Sequence, residues 1–162
     1  MVDKARIKGL TLHRPWGYAI AYLDKRVENR AYPCFLNRGD YIAIHNGKAW
    51  DEDGAAFVRS LNPSELIANP TQETDPPGMI IAIARYQETI EYSDSPWFFG
   101  PYGWVLDEVT AIEPVTAIEP VPCRGQQKLW DLPEDVLWQV RSNFQQAQQR
   151  NRGEYGSTIN ST

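Results

Sequence analysis

The sequence predicts a mixed α+β domain, built around a small, largely antiparallel β-barrel and flanked by about three helices. The chain has 162 residues, of which 42% are apolar, so one compact core can form. About six segments have the pattern of strands and three that of helices. Because the helices do not separate these strands regularly, the pattern disfavours a doubly wound parallel sheet.

The first half of the chain opens with strand "RIKGLTL" and helix "RPWGYAIAYLDK", whose apolar residues recur at helical spacing. A second strand, "GDYIAIHNG", is expected to close at Asn46 and Gly47. "KAWDEDGAAFVRSL" predicts a second helix, interrupted by Gly54, and a further short helix is expected after Asn62. A polar, proline-rich loop follows over residues 68–78.

The second half begins with the strand "MIIAIARYQETIEY", which is long enough to bend across two faces of a small sheet. "GWVLDEV" predicts the next strand and "CRGQQKLWDLP" the last one. Between them, "TAIEPVTAIEPV" is an exact tandem repeat whose prolines lack an N–H, so we expect an edge strand or a protruding hairpin. "PEDVLWQVRSNFQQAQQ" predicts the C-terminal helix. We therefore expect one domain over residues 1–147 and a disordered polar tail over 148–162.

Composition limits the classes of protein. No segment has the pattern of a signal peptide or the roughly 18 apolar residues of a membrane span, so we expect a soluble, cytoplasmic protein without a membrane partner. The cysteines and histidines lack the spacing of zinc ligands, which favours reduced thiols and neither metal nor cofactor. These residues are Cys34, Cys123, His13 and His45.

Charge is distributed unevenly. The formal net charge is −5, which disfavours a protein that coats nucleic acid through its phosphates. Residues 1–48 nevertheless carry nine Lys or Arg against four Asp or Glu, and the rest of the chain carries seven against seventeen. The first third can thus present an electropositive face to an anionic ligand, with dispersed surface charge as the alternative.

The stretch "LDKRVENRAY", residues 23–32, is the densest in polar side chains. Its charges alternate in sign where a helix passes into a strand, a position at which side chains can converge on a cleft. The alternative is a solvated helix end with ion pairs that each contribute less than about 1 kcal/mol.

Residues 23–30 resemble the G-x-K-x-x-E-x-R signature of ASCH domains at Lys25, Glu28 and Arg30, with Leu23 in place of the glycine. The blocks "LTLHRPWGYAI", "SPWFFGPYGWVL" and "PVPCRGQQKLWDLP" are similar to the ASCH proteins that have a Pro-Trp first helix. The resemblance covers roughly residues 8–135. It implies a PUA-like barrel with a cleft between barrel and helices, lined by the motif and occupied by RNA or a nucleotide-like ligand.

Carried over to this chain, the resemblance gives Lys25 the role of a point charge, Glu28 that of a hydrogen-bond acceptor and Arg30 that of a planar donor fork. The negative net charge favours a small ligand or a short single-stranded segment over a long duplex. The ligand-binding residues expected are Arg14, Trp16, Lys25, Glu28, Asn29, Arg30, His45, Trp97, Phe98 and Tyr102.

Some ASCH proteins are amidohydrolases that remove acyl groups from modified cytidines with a lysine, a threonine and a glutamate. The lysine corresponds to Lys25, but the threonine position is Glu28 here. A Lys25–Glu28 catalytic pair is the first alternative, with Glu91 or Asp94 as third member by position alone.

Two further alternatives follow from the same resemblance. Other family members are linked to RNA cleavage, for which His13 and His45 would serve as acid and base. The family is also associated with transcriptional coactivators, so a protein-interaction module is the remaining class.

"SPWFFGPYGWVL", residues 95–106, contains five aromatic residues in twelve positions. Trp104 and Phe99 are predicted to fill the core. Trp97, Phe98 and Tyr102 are placed in the loop, where stacking on a base contributes roughly 1 to 3 kcal/mol each. The alternative is that all five close the end of the barrel.

Overall fold

The computed structural model describes residues 5–106 and 115–159. Eight strands and three helices lie within these residues. In chain order they are β1 (Ile7–Arg14), α1 (Trp16–Tyr22), β2 (Val27–Arg30), β3 (Tyr41–Trp50), α2 (Glu52–Leu61), β4 (Met79–Arg85), β5 (Glu88–Ile90), β6 (Tyr102–Val105), β7 (Val115–Pro122), β8 (Leu129–Asp131) and α3 (Glu134–Ile159).

The strands form two sheets, one with the order β7-β4-β3-β1-β8 and a smaller one with the order β2-β6-β5. Strands β1 and β3 pair in parallel, and the other pairings are antiparallel. A mixed α+β fold with three helices and largely antiparallel strands is therefore confirmed. Over the described residues the two sheets do not close into a barrel, so the PUA-like barrel stays a prediction.

The sheets stay separate because the long strand expected at "MIIAIARYQETIEY" divides after Arg85. The amide of Tyr86 donates to the carbonyl of Asp40, beside the large sheet, at 2.8 Å. The amide of Gln87 donates to the carbonyl of Val105 in the small sheet, also at 2.8 Å. The chain thus leaves one sheet and enters the other within two residues, instead of bending as one continuous strand.

Some element boundaries differ from those expected. Strand β3 passes through Asn46 and Gly47 to Trp50, because its parallel pairing with β1 continues that far. Helix α2 begins only after Asp51, whose carboxylate accepts from the amide of Gly54 at 2.8 Å and caps the helix. The short helix expected directly after Asn62 is not formed, since the described residues 63–67 are turns and bends. Helix α3 extends to Ile159, past the domain boundary expected at residue 147.

The second copy of the tandem repeat, residues 116–121, lies in β7 at an edge of the five-stranded sheet, as its proline requires. Residues 110–114 of the first copy lie outside the described residues.

The five-stranded sheet is covered on both faces, which explains the continuous apolar runs of β3 and β4. On one face Leu10, Ile42 and Ile44 pack in a cluster with Ile20 of α1. The other face is covered by α3. Residues of that cluster include Ala43, Ile83, Trp130 and Val140. Since α1 lies on the first face, it holds the segment of residues 23–26 next to the small sheet.

Gly9 of β1 should be sensitive to any side chain. It pairs with Trp130 of β8, and a β-carbon at this position would overlap the buried indole ring. We expect Gly9→Ala to lower the free energy of unfolding by about 1 to 3 kcal/mol, measured by urea denaturation. In a Trp130→Ala background, where the ring is absent, the same change should cost less than about 0.5 kcal/mol. An equal cost in both backgrounds would contradict the packing described.

Candidate functional site

Lys25, Glu28 and Arg30 form one chain of charges between the end of α1 and β2. The Lys25 ammonium donates to the carbonyl of Val27 at 2.6 Å and to Glu28 Oε2 at 3.2 Å. The other carboxylate oxygen, Oε1, lies 3.6 Å from Arg30 Nε. The structure therefore brings the three motif residues together, with Glu28 in the centre.

The three side chains differ in their access to solvent. Lys25 is 2% exposed, and its ammonium lies 5.7 Å from the centre of the Trp16 ring. Glu28 is buried, whereas 22% of the Arg30 side chain is exposed. Since Lys25 is paired inside the protein, Arg30 is the member of this charged group that a ligand can reach.

Strand alternation decides what surrounds Arg30. Residues Glu28 and Arg30 lie directly opposite Trp104 and Tyr102 of β6, so all four project from one face of the small sheet. The guanidinium of Arg30 lies 5.8 Å from the centre of the Trp104 ring. Its Nε is buried without a hydrogen-bond partner in the described part of the chain. We call this surface the Arg30 face; it also includes Thr89, which lies opposite Trp104 on β5.

The aromatic stretch packs mainly on the opposite face of the small sheet. Asn29, which projects from that face, donates to the carbonyl of Trp97 at 3.0 Å and accepts from the amides of Phe99 and Gly100. The Phe98 ring covers Gly103, where a β-carbon would lie 2.9 Å from it. The sheet thus separates Phe98 from Glu28 and Arg30, although all three were expected to bind the ligand. Asn29 anchors the loop.

Burial also corrects two expectations for this stretch. Trp97 is 3% exposed, packs in a cluster with Ala19 and Val58, and donates from its indole to Asp24 at 3.2 Å. Phe99, which was expected in the core, is 61% exposed. Trp97 therefore lies in the loop as predicted but is buried, and the core position predicted for Phe99 is wrong, while that of Trp104, which is fully buried, is confirmed.

A second aromatic group, which is not among the predicted ligand-binding residues, borders the Arg30 face. The indole of Trp104 donates to the carbonyl of Tyr32 at 3.0 Å, and the two rings meet edge to face. Phe35 stacks on Tyr32 with 6.2 Å between ring centres and is 74% exposed. The sequence signal for this aromatic group is "AYPCFL", in which two aromatic residues follow directly after β2.

The guanidinium of Arg14 contacts the proline-rich loop. Arg14 is buried, and its guanidinium donates to the carbonyls of Gln72, Asp75 and Lys48, each at 2.9 Å. It therefore fastens the proline-rich loop to β3. Beside it, Asn46 donates to Asp75 Oδ1 at 2.7 Å, while Asp75 Oδ2 has no partner in the described residues. Burial raises the pKa of Asp75 to about 6, although Asn46 and Arg14 act in the opposite direction.

His45 lies apart from the motif. It is buried, donates from Nε2 to the carbonyl of Cys123 at 2.6 Å, and packs edge to face against Trp130 beneath α3. Burial lowers the pKa of His45, so the ring is neutral at pH 7 and its Nδ1 accepts from the Thr11 hydroxyl at 3.1 Å. His13, the other member of the candidate acid–base pair, is exposed.

The remaining candidates have separate partners. Trp16 is half-buried and donates from its indole to Asp51 at 3.0 Å. Glu91 and Asp94, the candidate third members of a catalytic triad, are exposed, and Asp94 accepts from Tyr92 at 2.6 Å. The hydrogen-bond partners of Lys25 are Val27 and Glu28, so neither of these two acids joins the motif.

Across residues 5–106 and 115–159, no three His, Cys, Asp or Glu side chains have the arrangement of a metal site. None of the helices in these ranges is long and apolar enough to cross a membrane.

No family model matches this chain, and no curated protein compared with it matches either. The ASCH resemblance therefore stays a prediction that depends on its motifs.

The central position of Glu28 can be tested by Glu28→Gln. Removing its charge leaves Lys25 and Arg30 without a counter-ion, so we expect the free energy of unfolding to fall by about 3 kcal/mol in urea denaturation. The matched control is Lys8→Ala, which breaks the exposed Lys8–Asp131 pair and should cost less than about 1 kcal/mol. Equal losses in the two variants would show that the motif's ion pairs do not stabilise the fold.

The raised pKa of Asp75 predicts that the stability of the fold depends on pH. Because its pKa is raised above the value of about 4 in an unfolded chain, its contribution to stability is complete below pH 4 and is lost as the pH rises through about 6. Two pKa units correspond to about 3 kcal/mol, and solvent screening reduces this to about 2 kcal/mol.

We therefore expect Asp75→Asn to gain about 2 kcal/mol relative to the wild type between pH 4 and pH 8 in urea denaturation series. A constant difference between the two proteins across this range would show that Asp75 keeps an ordinary pKa.

Proposed function

We propose that this chain is an ASCH-type, PUA-like module that binds single-stranded RNA or a modified nucleotide on the Arg30 face. One observation carries the proposal. The guanidinium of Arg30 is held between Glu28 and Trp104, is partly exposed, and donates no hydrogen bond to any described residue. A positioned planar fork with unused donors suits a phosphate or the edge of a base.

The residues around Arg30 support a nucleotide as the ligand of this face. Glu28 sits between two cations, so the motif carries one net positive charge in a protein whose net charge is −5. Tyr102 projects from the same face, and the exposed ring of Phe35 borders it through Tyr32 and Trp104. Aromatic rings beside a charged donor are typical of surfaces that stack and hold single-stranded bases.

The geometry gives less support to the amidohydrolase alternative. A lysine that acts as a base or nucleophile has to reach its substrate. Here the ammonium of Lys25 is buried and donates to Val27 and Glu28. Turnover of N4-acetylcytidine by the purified chain would favour the enzyme over the binding module.

The proposal is tested by Arg30→Ala and a fluorescent single-stranded oligoribonucleotide, with affinity measured by anisotropy. Loss of charge-assisted hydrogen bonds should weaken binding about tenfold or more and make the salt dependence shallower. The control is Arg59→Ala, which removes an exposed positive charge from the last turn of α2 and should change affinity less than about twofold.

Both variants need a melting temperature near that of the wild type, since Arg30 also pairs with Glu28. If a folded Arg30→Ala protein bound the RNA as tightly as the wild type, the Arg30 face would not be the binding surface.

A further inference from the structure

A second concavity lies between the end of β3 and the loop of residues 123–127. It has a volume of about 400 Å³, within the range of small-ligand pockets. Its charged lining residues are Lys48 and Arg124, and none of the lining residues described is acidic. This concavity, which we call the His45 cavity, shares no lining residue with the Arg30 face.

The loop that carries Arg124 is fastened to the sheet on both sides of Cys123. The amide of Cys123 donates to the carbonyl of Gly78 at 3.0 Å, and its carbonyl accepts from His45 at 2.6 Å. Gly125 then lies directly against the imidazole, where a β-carbon would be 2.8 Å from His45 Cε1. The buried histidine therefore sets the position of the loop, so the cavity is formed before any ligand arrives.

The two cations have no counter-ion in the described structure. Lys48 and Arg124 are exposed, and neither side chain makes a hydrogen bond or ion pair with another described residue. Two like charges on one concavity repel each other, so an anion between them relieves that repulsion. Arginine supplies a planar fork of donors and lysine a compact charge, a combination that suits the several oxygens of a phosphoryl group.

We propose that the His45 cavity binds a small molecule bearing a phosphoryl group, which lies between Lys48 and Arg124. The volume exceeds that of the anion alone and leaves room for an attached group next to the side chains of Gln126 and Gln127, which also line the cavity. This site is independent of the one on the Arg30 face.

The test is a titration of the ¹⁵N-labelled full chain, followed by NMR, with inorganic phosphate, adenosine 5′-monophosphate and adenosine. The two phosphate-bearing probes should shift the amides of His45 and Gly125 saturably, while adenosine should not. A Lys48→Ala/Arg124→Ala variant should bind adenosine monophosphate at least about tenfold more weakly. As a matched control, Arg141→Ala on the exposed surface of α3 should stay within about twofold of the wild type.

Failure of this proposal is distinguishable from failure of the RNA proposal. If the double variant binds adenosine monophosphate as tightly as the wild type, or if Arg30→Ala alone abolishes binding, the phosphoryl group does not occupy the His45 cavity. The same result follows if adenosine shifts these amides as strongly as its monophosphate does.

Discussion

The carboxylate of Glu28 is the interaction on which the small sheet and its surroundings depend. It pairs with the buried Lys25 at the end of α1 and lies beside Arg30 on its own strand. A single charge thus offsets two cations and joins a helix to a sheet. A buried ion pair stabilises only when both partners are present, so the geometry of the whole motif is tied to this residue.

Strand β2 serves two purposes because its side chains alternate between faces. Glu28 and Arg30 point to the face that carries Trp104 and Tyr102, while Asn29 points to the other and anchors the backbone of residues 97–100. The local pattern "VENR" therefore organises a charged surface and an aromatic core cluster at once. The convergence of the charges was predictable, since alternating signs at a helix end favour ion pairs within a few residues.

The features that the sequence could not predict depend on contacts between residues that are far apart in the chain. The orientation of Trp97 and Phe99 follows from hydrogen bonds to Asn29, about seventy residues earlier. Arg14 and His45, which were expected to bind a ligand, form hydrogen bonds to carbonyls of loops far along the chain, and these bonds were not predicted. The helices and most strands follow from periodicity, but over the described residues the two sheets do not close into a barrel, since the chain changes sheets at Tyr86 and Gln87. Periodicity reports which face is buried, not which sheet a strand joins.

The central claim is that the Arg30 face, and not the aromatic loop behind it, receives the ligand. The most direct measurement is NMR mapping of a short single-stranded RNA on the ¹⁵N-labelled chain, including the side-chain Nε–H of Arg30. We expect that signal and the amides of Tyr102 and Phe35 to shift together and to saturate at one concentration. An unchanged Arg30 Nε–H, with saturable shifts confined to residues 97–100, would contradict the account.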